Sequence, residues 1–341
     1  MHGIMKGTFM IFGVSWHMAA FEAWEAVIFV LCLIHAIRSG IRVRERVALL
    51  LAGTIYGLTL ETLTIYQLHA YYYGTFLVMV KQVPLAIAVG WGIILYSAVA
   101  FADALPLTPL AWSALVGLLG LNIDLSMDAV AIRVHMWNWL IPFSYSAGKP
   151  YDNLPLTAQW FGVPYGNFYS WFIVLASFAG LFRLLKAGNA KTVWGTIGRS
   201  AAAYFSSLII LIGLDQFYYV VFAGSKANYG WIMVALEIAL AAAALLTGVR
   251  GAKAAPRDIQ AIKGFPSFGV PFAFHMYFTF MLLTLAISAA FAAPYPILLV
   301  ISGLMLLVSF ALHIGRHFIA AKPDTKTVNT ATPVEVAAAT E

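Results

Sequence analysis

The chain has 341 residues, of which 62% are hydrophobic and only 10% are charged, and its formal net charge is +6. This composition excludes a soluble globular protein and indicates a polytopic membrane protein, because apolar runs of about 20 residues recur along the chain. The single cysteine, Cys32, excludes a disulfide framework and a thiolate metal site. The eight histidines are scattered, which argues against a histidine-clustered di-iron enzyme.

Nine apolar segments are long enough to cross a bilayer, and they predict an all-α, polytopic transmembrane helical bundle. In chain order, the segments lie near residues 9–37, 47–69, 83–103, 108–135, 167–185, 200–222, 229–249, 268–292 and 296–318. We expect residues 1–320 to form a single transmembrane domain. Residues 321–341 are polar and offer little apolar surface for a core, so they are expected to form a disordered cytoplasmic tail.

Most of the 20 lysines and arginines follow odd-numbered segments, namely the first, fifth, seventh and ninth. These residues are Arg38, Arg42, Arg44, Arg46, Arg183, Lys186, Lys191, Arg199, Arg250, Lys253, Arg257, Lys263, Arg316, Lys322 and Lys326. Because positively charged loops tend to stay in the cytoplasm, we expect the N-terminus outside and the C-terminus inside, in the cell membrane of a prokaryote. The positive charge is therefore a topology signal, and no nucleic-acid partner is expected.

Three carboxylates interrupt apolar segments: Glu61 in the second, and Asp124 and Asp128 in the fourth. An ionisable residue in a membrane span costs roughly 2.5–3.5 kcal/mol on insertion scales, so each is a candidate functional residue. Asp124 and Asp128 lie four residues apart and hence on one helix face, which His135 and Trp139 would continue. The topology places all three carboxylates in the outer half of the membrane, where we expect Glu61 to approach the two aspartates.

Other polar residues in the segments have a simpler structural interpretation. Glu22 and Asp215 are interpreted as contacts between helices, since polar side chains commonly join helices within a membrane. His275 is interpreted as a packing histidine. His313 and His317 are four residues apart but lie at the cytoplasmic end of their segment, so they are interpreted as interfacial residues and not as metal ligands.

Several motifs between the second and fifth segments occur in the order of a known protein family. They are Glu61, "YYYG" at 71–74, "VPLAIAVGWGIILYS" at 83–97, "DLSMDAVAIRVHMWNW" at 124–139 and "FGVPYGNFYSW" at 161–171. Over about residues 56–186, the chain resembles the membrane carotenoid-biosynthesis proteins that include the carotenoid 1,2-hydratases of the bacterioruberin and γ-carotene type. Ala129 and Ser170 depart from this family, which usually has proline and glycine at these positions.

The resemblance implies a hydratase that adds water to a terminal C=C bond of an isoprenoid or carotenoid taken from the bilayer. Together with the buried carboxylates, it predicts Asp124, Asp128 and Glu61 as catalytic residues. Asp124 is expected to be the proton donor, because it lies deeper in the membrane. The predicted substrate-binding residues are Tyr71, Tyr73, Trp91, His135, Trp137, Trp139, Asn167 and Trp171.

Hydration of an alkene places definite chemical demands on such a site. A protonated acid must deliver a proton to carbon, and carboxyl groups that crowd one another in a low dielectric retain a proton near neutral pH. A tertiary carbocation must be stabilised, which aromatic faces can do. A second carboxylate must hold and deprotonate water. The sequence contains no glycine-rich phosphate loop or other cofactor motif, so no cofactor and no metal are expected.

Two other functional classes remain open. Asn122, Asp124 and Asp128 faintly resemble the aspartate-rich motif that holds Mg²⁺-diphosphate in prenyltransferases, although Asn122 lies on the opposite helix face. A Mg²⁺ requirement that a chelator abolishes would indicate that class. Carboxylates and histidines in membrane spans can also form the proton relay of a proton-coupled transporter, and uptake of a solute without chemical change would indicate it. The sequence leaves the oligomeric state open.

Overall fold

A computed structural model of the chain describes residues 9–140, 156–187, 190–222, 228–251 and 265–321. Within these ranges, nine helices are long and apolar enough to cross a membrane, which confirms the predicted all-α, polytopic bundle. They are α1 (Trp16–Ile37), α2 (Val43–Tyr66), α3 (Leu85–Ala102), α4 (Pro109–Ala131), α5 (Tyr165–Leu184), α6 (Val193–Phe222), α7 (Gly230–Gly251), α8 (Pro266–Ser288) and α9 (Tyr295–Ala321). The predicted disordered tail lies outside the described residues, apart from Ala321 at the end of α9.

Helices α3 and α4 form the centre of the bundle. Both are buried along most of their length, because α1, α2 and α8 pack around α3 while α5, α7, α8 and α9 pack around α4. Helices α6, α7 and α9 are more peripheral and expose apolar side chains over much of their surface. An apolar outer surface of this kind is suited to lipid, where the hydrogen bonds within each helix satisfy its backbone polar groups.

Close packing of α2 against α3 depends on Gly57. A Cβ atom added at Gly57 would lie 2.5 Å from the Cβ of Trp91, far inside van der Waals contact. The missing side chain therefore lets the indole of Trp91 lie directly against the backbone of α2. This position matters for the cavity described below, because Trp91 forms part of its wall.

Replacing Gly57 by alanine is expected to lower the free energy of unfolding by about 1–3 kcal/mol, because extra volume in a packed core displaces its neighbours. Thermal unfolding of the purified protein measures this change. Gly213 on α6 offers a matched control, because a Cβ atom there would meet nothing within 4 Å. Gly213→Ala should keep or slightly raise the melting temperature of the wild type, because alanine favours a helix more than glycine does. A Gly57→Ala variant as stable as Gly213→Ala would contradict the packing of Trp91 against α2.

Short β-hairpins, which were not predicted from the sequence, precede three of the helices. The strand pairs are β1 (Met10–Ile11) with β2 (Val14–Ser15) before α1, β4 (Met79–Val80) with β5 (Val83–Pro84) before α3, and β7 (Gln159–Trp160) with β8 (Val163–Pro164) before α5. The first turn residue has a positive φ in each hairpin, 50° at Phe12, 58° at Lys81 and 50° at Phe161. Tight turns of this handedness match the twist of the flanking strands, so the chain reverses immediately before each helix.

Within the described residues, two consecutive parts of the chain share one order of elements. In the first part, α2 is followed by β3 (Tyr71–Tyr73), a hairpin and α3. In the second part, α4 is followed by β6 (Trp137–Trp139), a hairpin and α5. Strands β3 and β6 pair with each other in antiparallel register, with Tyr72 opposite Asn138. Because side chains alternate along a strand, the pairing directs four aromatic rings to one side: Tyr71, Tyr73, Trp137 and Trp139.

Helix α4 ends at Ala131, earlier than the predicted end of the fourth segment at residue 135. The backbone amide of Met136 donates to the carbonyl of Ala131 at 2.9 Å, and His135 has a positive φ of 60°. These features close the helix and redirect the chain into β6. The predicted helix face that carries Asp124 and Asp128 therefore ends before His135. The position of Trp139 is set by the pairing of β6 with β3.

The orientation of the bundle in the membrane stays a prediction from the distribution of lysine and arginine. A reporter fused after Lys322 is expected in the cytoplasm, and a reporter inserted near Tyr151 is expected outside. The activity of a reporter that works on only one side of the membrane measures each location. The opposite location at either position would place the ends of α2 and α4, with Glu61 and Asp128, on the cytoplasmic side.

Candidate active site

A cavity of about 430 Å³ lies among the helices where α2 and α4 end. This volume falls within the range of about 300–1,000 Å³ that is usual for small-molecule sites. Apolar and aromatic side chains form most of its wall, and four carboxyl groups also line it: Glu25, Glu61, Asp128 and Asp215. The described residues that line the cavity include no lysine, arginine or histidine. The cavity is therefore apolar over most of its wall and carries carboxyl groups without a basic side chain beside them.

The carboxylate of Glu61 accepts three side-chain hydrogen bonds. Trp91 Nε1 donates to one oxygen at 2.7 Å, whereas the hydroxyls of Tyr73, at 2.6 Å, and Tyr71 donate to the other. Only 4% of Glu61 is exposed. An ionised carboxylate has acceptors and no donor, so this set of partners matches a carboxylate and holds it in one orientation.

Tyr71 and Tyr73 are neutral hydrogen-bond donors. Burial raises the pKa of both hydroxyls well above the ordinary value for tyrosine, and the neighbouring Glu61 carboxylate raises it further. Both side chains extend from β3, outside the membrane-spanning helices. The two hydroxyls therefore keep their protons throughout the physiological pH range and continue to hold Glu61.

Asn167 on α5 joins the two aspartates of α4. Its side-chain nitrogen donates to Asp124 Oδ2 at 2.9 Å and to Asp128 Oδ2 at 2.6 Å. Trp137 Nε1 donates to the other oxygen of Asp128 at 2.5 Å. Asp124 is 0% exposed and Asp128 is 2% exposed, so neither charge is screened by solvent. Two buried carboxylates that share one donor would repel each other strongly, so we expect the pair to hold one proton between them.

Two tryptophans at matching positions form a stack in the wall of the cavity. The rings of Trp91 on α3 and Trp171 on α5 have centroids 4.0 Å apart and an interplanar angle of 26°. Each tryptophan follows a Val-Pro pair at the same spacing, in the two parts of the chain that share an order of elements. Edge-to-face contacts also join the cross-strand pairs, Tyr71 with Trp139 and Tyr73 with Trp137. Aromatic side chains thus line the cavity together with the carboxyl groups of Glu61 and Asp128.

No family model, curated protein or solved structure matches the chain. The resemblance to carotenoid-biosynthesis proteins therefore stays a prediction. The chemistry of the residues around the cavity is what supports a function.

Most of the predicted site residues line this cavity: Glu61, Tyr71, Tyr73, Trp91, Asp128, Trp137, Trp139, Asn167 and Trp171. The structure does not bring His135 into it. His135 is exposed, and its Nδ1 lies 3.3 Å from Asn138 Oδ1, because α4 ends before this residue. Asp124 lies behind the wall, where Asn167 connects it to Asp128. Glu61 and Asp128 therefore line one cavity, and Asp124 is joined to Asp128 through Asn167.

Two residues of the wall were not predicted as site residues. Asp215 on α6 accepts a hydrogen bond from the Ser170 hydroxyl at 2.8 Å, as expected for a contact between helices, but it also lines the cavity. Glu25 on α1 lines the cavity, and neither of its oxygens has a hydrogen-bond partner within the described ranges. Glu22, in contrast, accepts from two backbone amides of the loop between β3 and β4, at 2.5 and 2.8 Å. The interpretation of Glu22 as a contact between helices is therefore wrong, because its partners belong to a loop.

His275 has the predicted packing role. Its Nε2 lies 3.0 Å from Asn122 Oδ1 and 3.0 Å from Ser309 Oγ, and its Nδ1 lies 3.1 Å from Ser126 Oγ. This network ties α4 to α8 and α9. Asn122 therefore belongs to the opposite face of α4 from the cavity, as its position in the helix predicts, and it does not share a site with Asp128.

Proposed function

We propose that the protein is an integral-membrane hydratase, which adds water to a terminal C=C bond of an isoprenoid such as an acyclic carotenoid. The observation that carries this proposal is the presence of two differently bonded carboxyl groups, Glu61 and Asp128, in one aromatic-lined cavity. An apolar wall suits a substrate without polar groups, and two carboxyl groups can give and take protons. The resemblance of residues 56–186 to carotenoid hydratases supports the same class.

In the proposed reaction, Asp128 gives its proton to the CH carbon of a terminal isopropylidene group, and the π electrons form the new C–H bond. The other alkene carbon becomes a tertiary carbocation. A water molecule adds to this carbon through a lone pair on its oxygen, and Glu61 takes the proton that the water loses. The product is a tertiary alcohol. Return of the proton from Glu61 to Asp128 through water restores the site.

The different hydrogen bonds of the two carboxyl groups support these roles. Asp128 accepts a hydrogen bond at each oxygen, but it belongs to a buried pair with Asp124 that is expected to hold one proton. Glu61 accepts three hydrogen bonds and shares no donor with another carboxyl group within the described residues, so it suits a carboxylate. Asp128 also lines the cavity, so we assign the proton donation to it and not to Asp124, which the sequence favoured. Asp124 keeps an indirect role in this proposal, as the carboxylate that shares Asn167 and the proton with Asp128.

The aromatic wall supports a carbocation intermediate. Ring faces attract a cation through their quadrupole without supplying a lone pair that would capture it. Trp91 and Trp171 are held by their mutual stack, and Trp91 is also fixed by its bond to Glu61. A rigid wall of this kind needs little rearrangement when positive charge develops, which favours the transition state over the substrate.

A bilayer-soluble substrate would reach the cavity sideways, between helices. Tyr218, Tyr219 and Phe222 of α6 line part of the wall, and α6 exposes most of its surface at the outside of the bundle. The remainder of a long polyene would then lie along this side, while its terminal double bond reaches Asp128.

Expression in a host that makes an acyclic carotenoid tests the proposal. Extracted pigments should include a product heavier by one molecule of water, and a host with empty vector should lack it. An unchanged pigment profile at normal membrane abundance would contradict the hydratase. A product formed only with Mg²⁺ and a prenyl diphosphate would indicate a prenyltransferase, and uptake of an unchanged solute into proteoliposomes would indicate a transporter.

A further inference from the structure

We propose that the same cavity binds an organic cation with an apolar chain, such as a long-chain alkylammonium, and that Glu25 is its counter-ion. Such binding is an equilibrium property and needs no reaction. It would hold whether or not the protein hydrates an isoprenoid.

Glu25 is a buried carboxyl group that lacks a partner. Only 1% of the residue is exposed, both oxygens are without a hydrogen-bond partner in the part of the chain that the structure describes, and the side chain lines the cavity. Gly90 on α3 leaves the space that the carboxyl group occupies, because a Cβ atom there would lie 2.8 Å from Glu25 Oε1. A buried carboxyl group without a partner is costly. A positively charged ligand in the cavity would remove that cost.

Aromatic rings lie beside Glu25 and complete a site for a cation. Phe21 precedes Glu25 by four residues on α1, hence on the same helix face, and it lines the cavity together with Phe274 of α8. The centroids of these two rings are 6.5 Å apart, and Trp24 packs edge-on against Phe274 at 5.0 Å. A carboxylate next to aromatic faces is a common arrangement for the recognition of ammonium groups.

The charge of the whole cavity favours the same class of ligand. Glu25, Glu61, Asp128 and Asp215 all line it, and the lining within the described ranges contains no basic side chain. A phosphate or carboxylate ligand would therefore meet only like charge, whereas an ammonium group would meet opposite charge. The remaining wall is mostly apolar, so the ligand should carry a hydrocarbon chain next to its charged group.

The experiment compares two ligands of the same shape in nanodiscs that contain the full chain. One is a decyltrimethylammonium ion, and the other is its neutral analogue, in which a tert-butyl group replaces the trimethylammonium group. The change in tryptophan fluorescence measures binding, since four of the described tryptophans line the cavity, and empty nanodiscs correct for partition into lipid. We expect the ammonium to bind at least about tenfold more tightly than the neutral analogue. Equal affinities in the wild-type protein would overturn the proposal without any need for a variant.

Variants then test the counter-ion. Glu25→Gln should bring the affinity for the ammonium close to that for the neutral analogue. Glu22→Gln removes the same charge one turn away on the same helix, and it should keep the full preference, because Glu22 bonds to the loop and does not line the cavity. Unchanged binding of the neutral analogue shows that a variant still folds. If Glu25→Gln does not fold, Glu25→Ala replaces it as the test variant. A full preference in the folded Glu25 variant would overturn the role of Glu25.

The outcomes separate this proposal from the hydratase. Tight ammonium binding without pigment hydration would keep the cation site and remove the proposed reaction. Pigment hydration without any preference for the ammonium would keep the reaction and remove the cation site.

Discussion

Replacing Asp128 by asparagine is expected to leave the protein folded and to reduce hydration to a level that a pigment assay does not detect. An amide cannot give a proton to an alkene carbon, and general acid–base catalysis by one group is worth roughly 10²–10⁴-fold in rate. The asparagine side chain has nearly the same size and can still accept the hydrogen bond from Trp137 Nε1, but its NH₂ group then faces the Asn167 nitrogen, which is also a donor. We therefore also expect a loss of stability of about 1–3 kcal/mol, as for other buried polar groups left without a partner. Conversion at equal membrane abundance, together with the melting temperature, measures both parts of this result.

Asp124→Asn is the matched control for this variant. Asp124 lies one turn from Asp128, accepts a hydrogen bond from the same Asn167 nitrogen and is fully buried, but it does not form part of the cavity wall. We expect a clearly smaller loss of conversion than for Asp128→Asn. The reverse ranking would make Asp124 the proton donor. Conversion close to the wild type in both variants would leave the two aspartates with a structural role only.

Replacing Glu61 by glutamine is expected to lower both hydration and stability. The carboxylate accepts from Trp91, Tyr71 and Tyr73, whereas an amide has one oxygen and would turn its NH₂ group toward at least one donor. A buried polar group left without a partner costs about 1–3 kcal/mol. The amide also cannot take a proton from water. Pigment conversion and thermal unfolding of the same preparation measure the two effects.

Tyr73→Phe provides the comparison for Glu61→Gln. It removes one donor at 2.6 Å and leaves the donors from Tyr71 and Trp91 in place. Its loss of stability and of conversion should be smaller than that of Glu61→Gln. A Glu61→Gln variant that melts and converts like the wild type would remove Glu61 from the proposed mechanism.

The helical architecture could be predicted from the sequence because hydropathy alone determines which segments can cross a bilayer. The nine predicted segments correspond to the nine described helices, with differences only at their ends. The presence of hydrogen-bond donors and a cavity beside Glu61 and Asp128 could also be predicted, because a carboxylate in an apolar span needs a partner or a cavity. That the two residues share one cavity followed from the topology, which places the ends of α2 and α4 on one side.

The details of the site could not be predicted from helical periodicity. Trp137 and Trp139 take their positions from the pairing of β6 with β3, a long-range contact that a helical projection does not contain. The same projection placed His135 on the helix face of Asp124 and Asp128. His135 itself has a positive φ, however, and the chain changes direction there. A repeated signal was nevertheless present, since Trp91 and Trp171 follow Val-Pro pairs at equal spacing.

Glu25 and Asp215 show a different limit of sequence-based inference. A single carboxylate in an apolar segment has the same sequence pattern whether it joins two helices or faces a cavity. Glu22 and Glu25 lie three residues apart on α1, yet Glu22 bonds to backbone amides and Glu25 lines the cavity. Only the packing of α1 against its neighbours separates these roles.

Isotopic labelling of the product tests the hydratase most directly. Membranes that contain the protein are incubated with an acyclic carotenoid in water labelled with a heavy oxygen isotope, and the products are analysed by mass spectrometry. The proposed mechanism predicts a tertiary alcohol that carries one labelled oxygen, with no requirement for molecular oxygen, in wild-type membranes and not in Asp128→Asn membranes. An unchanged substrate in wild-type membranes, or an alcohol whose oxygen does not come from water, would contradict it.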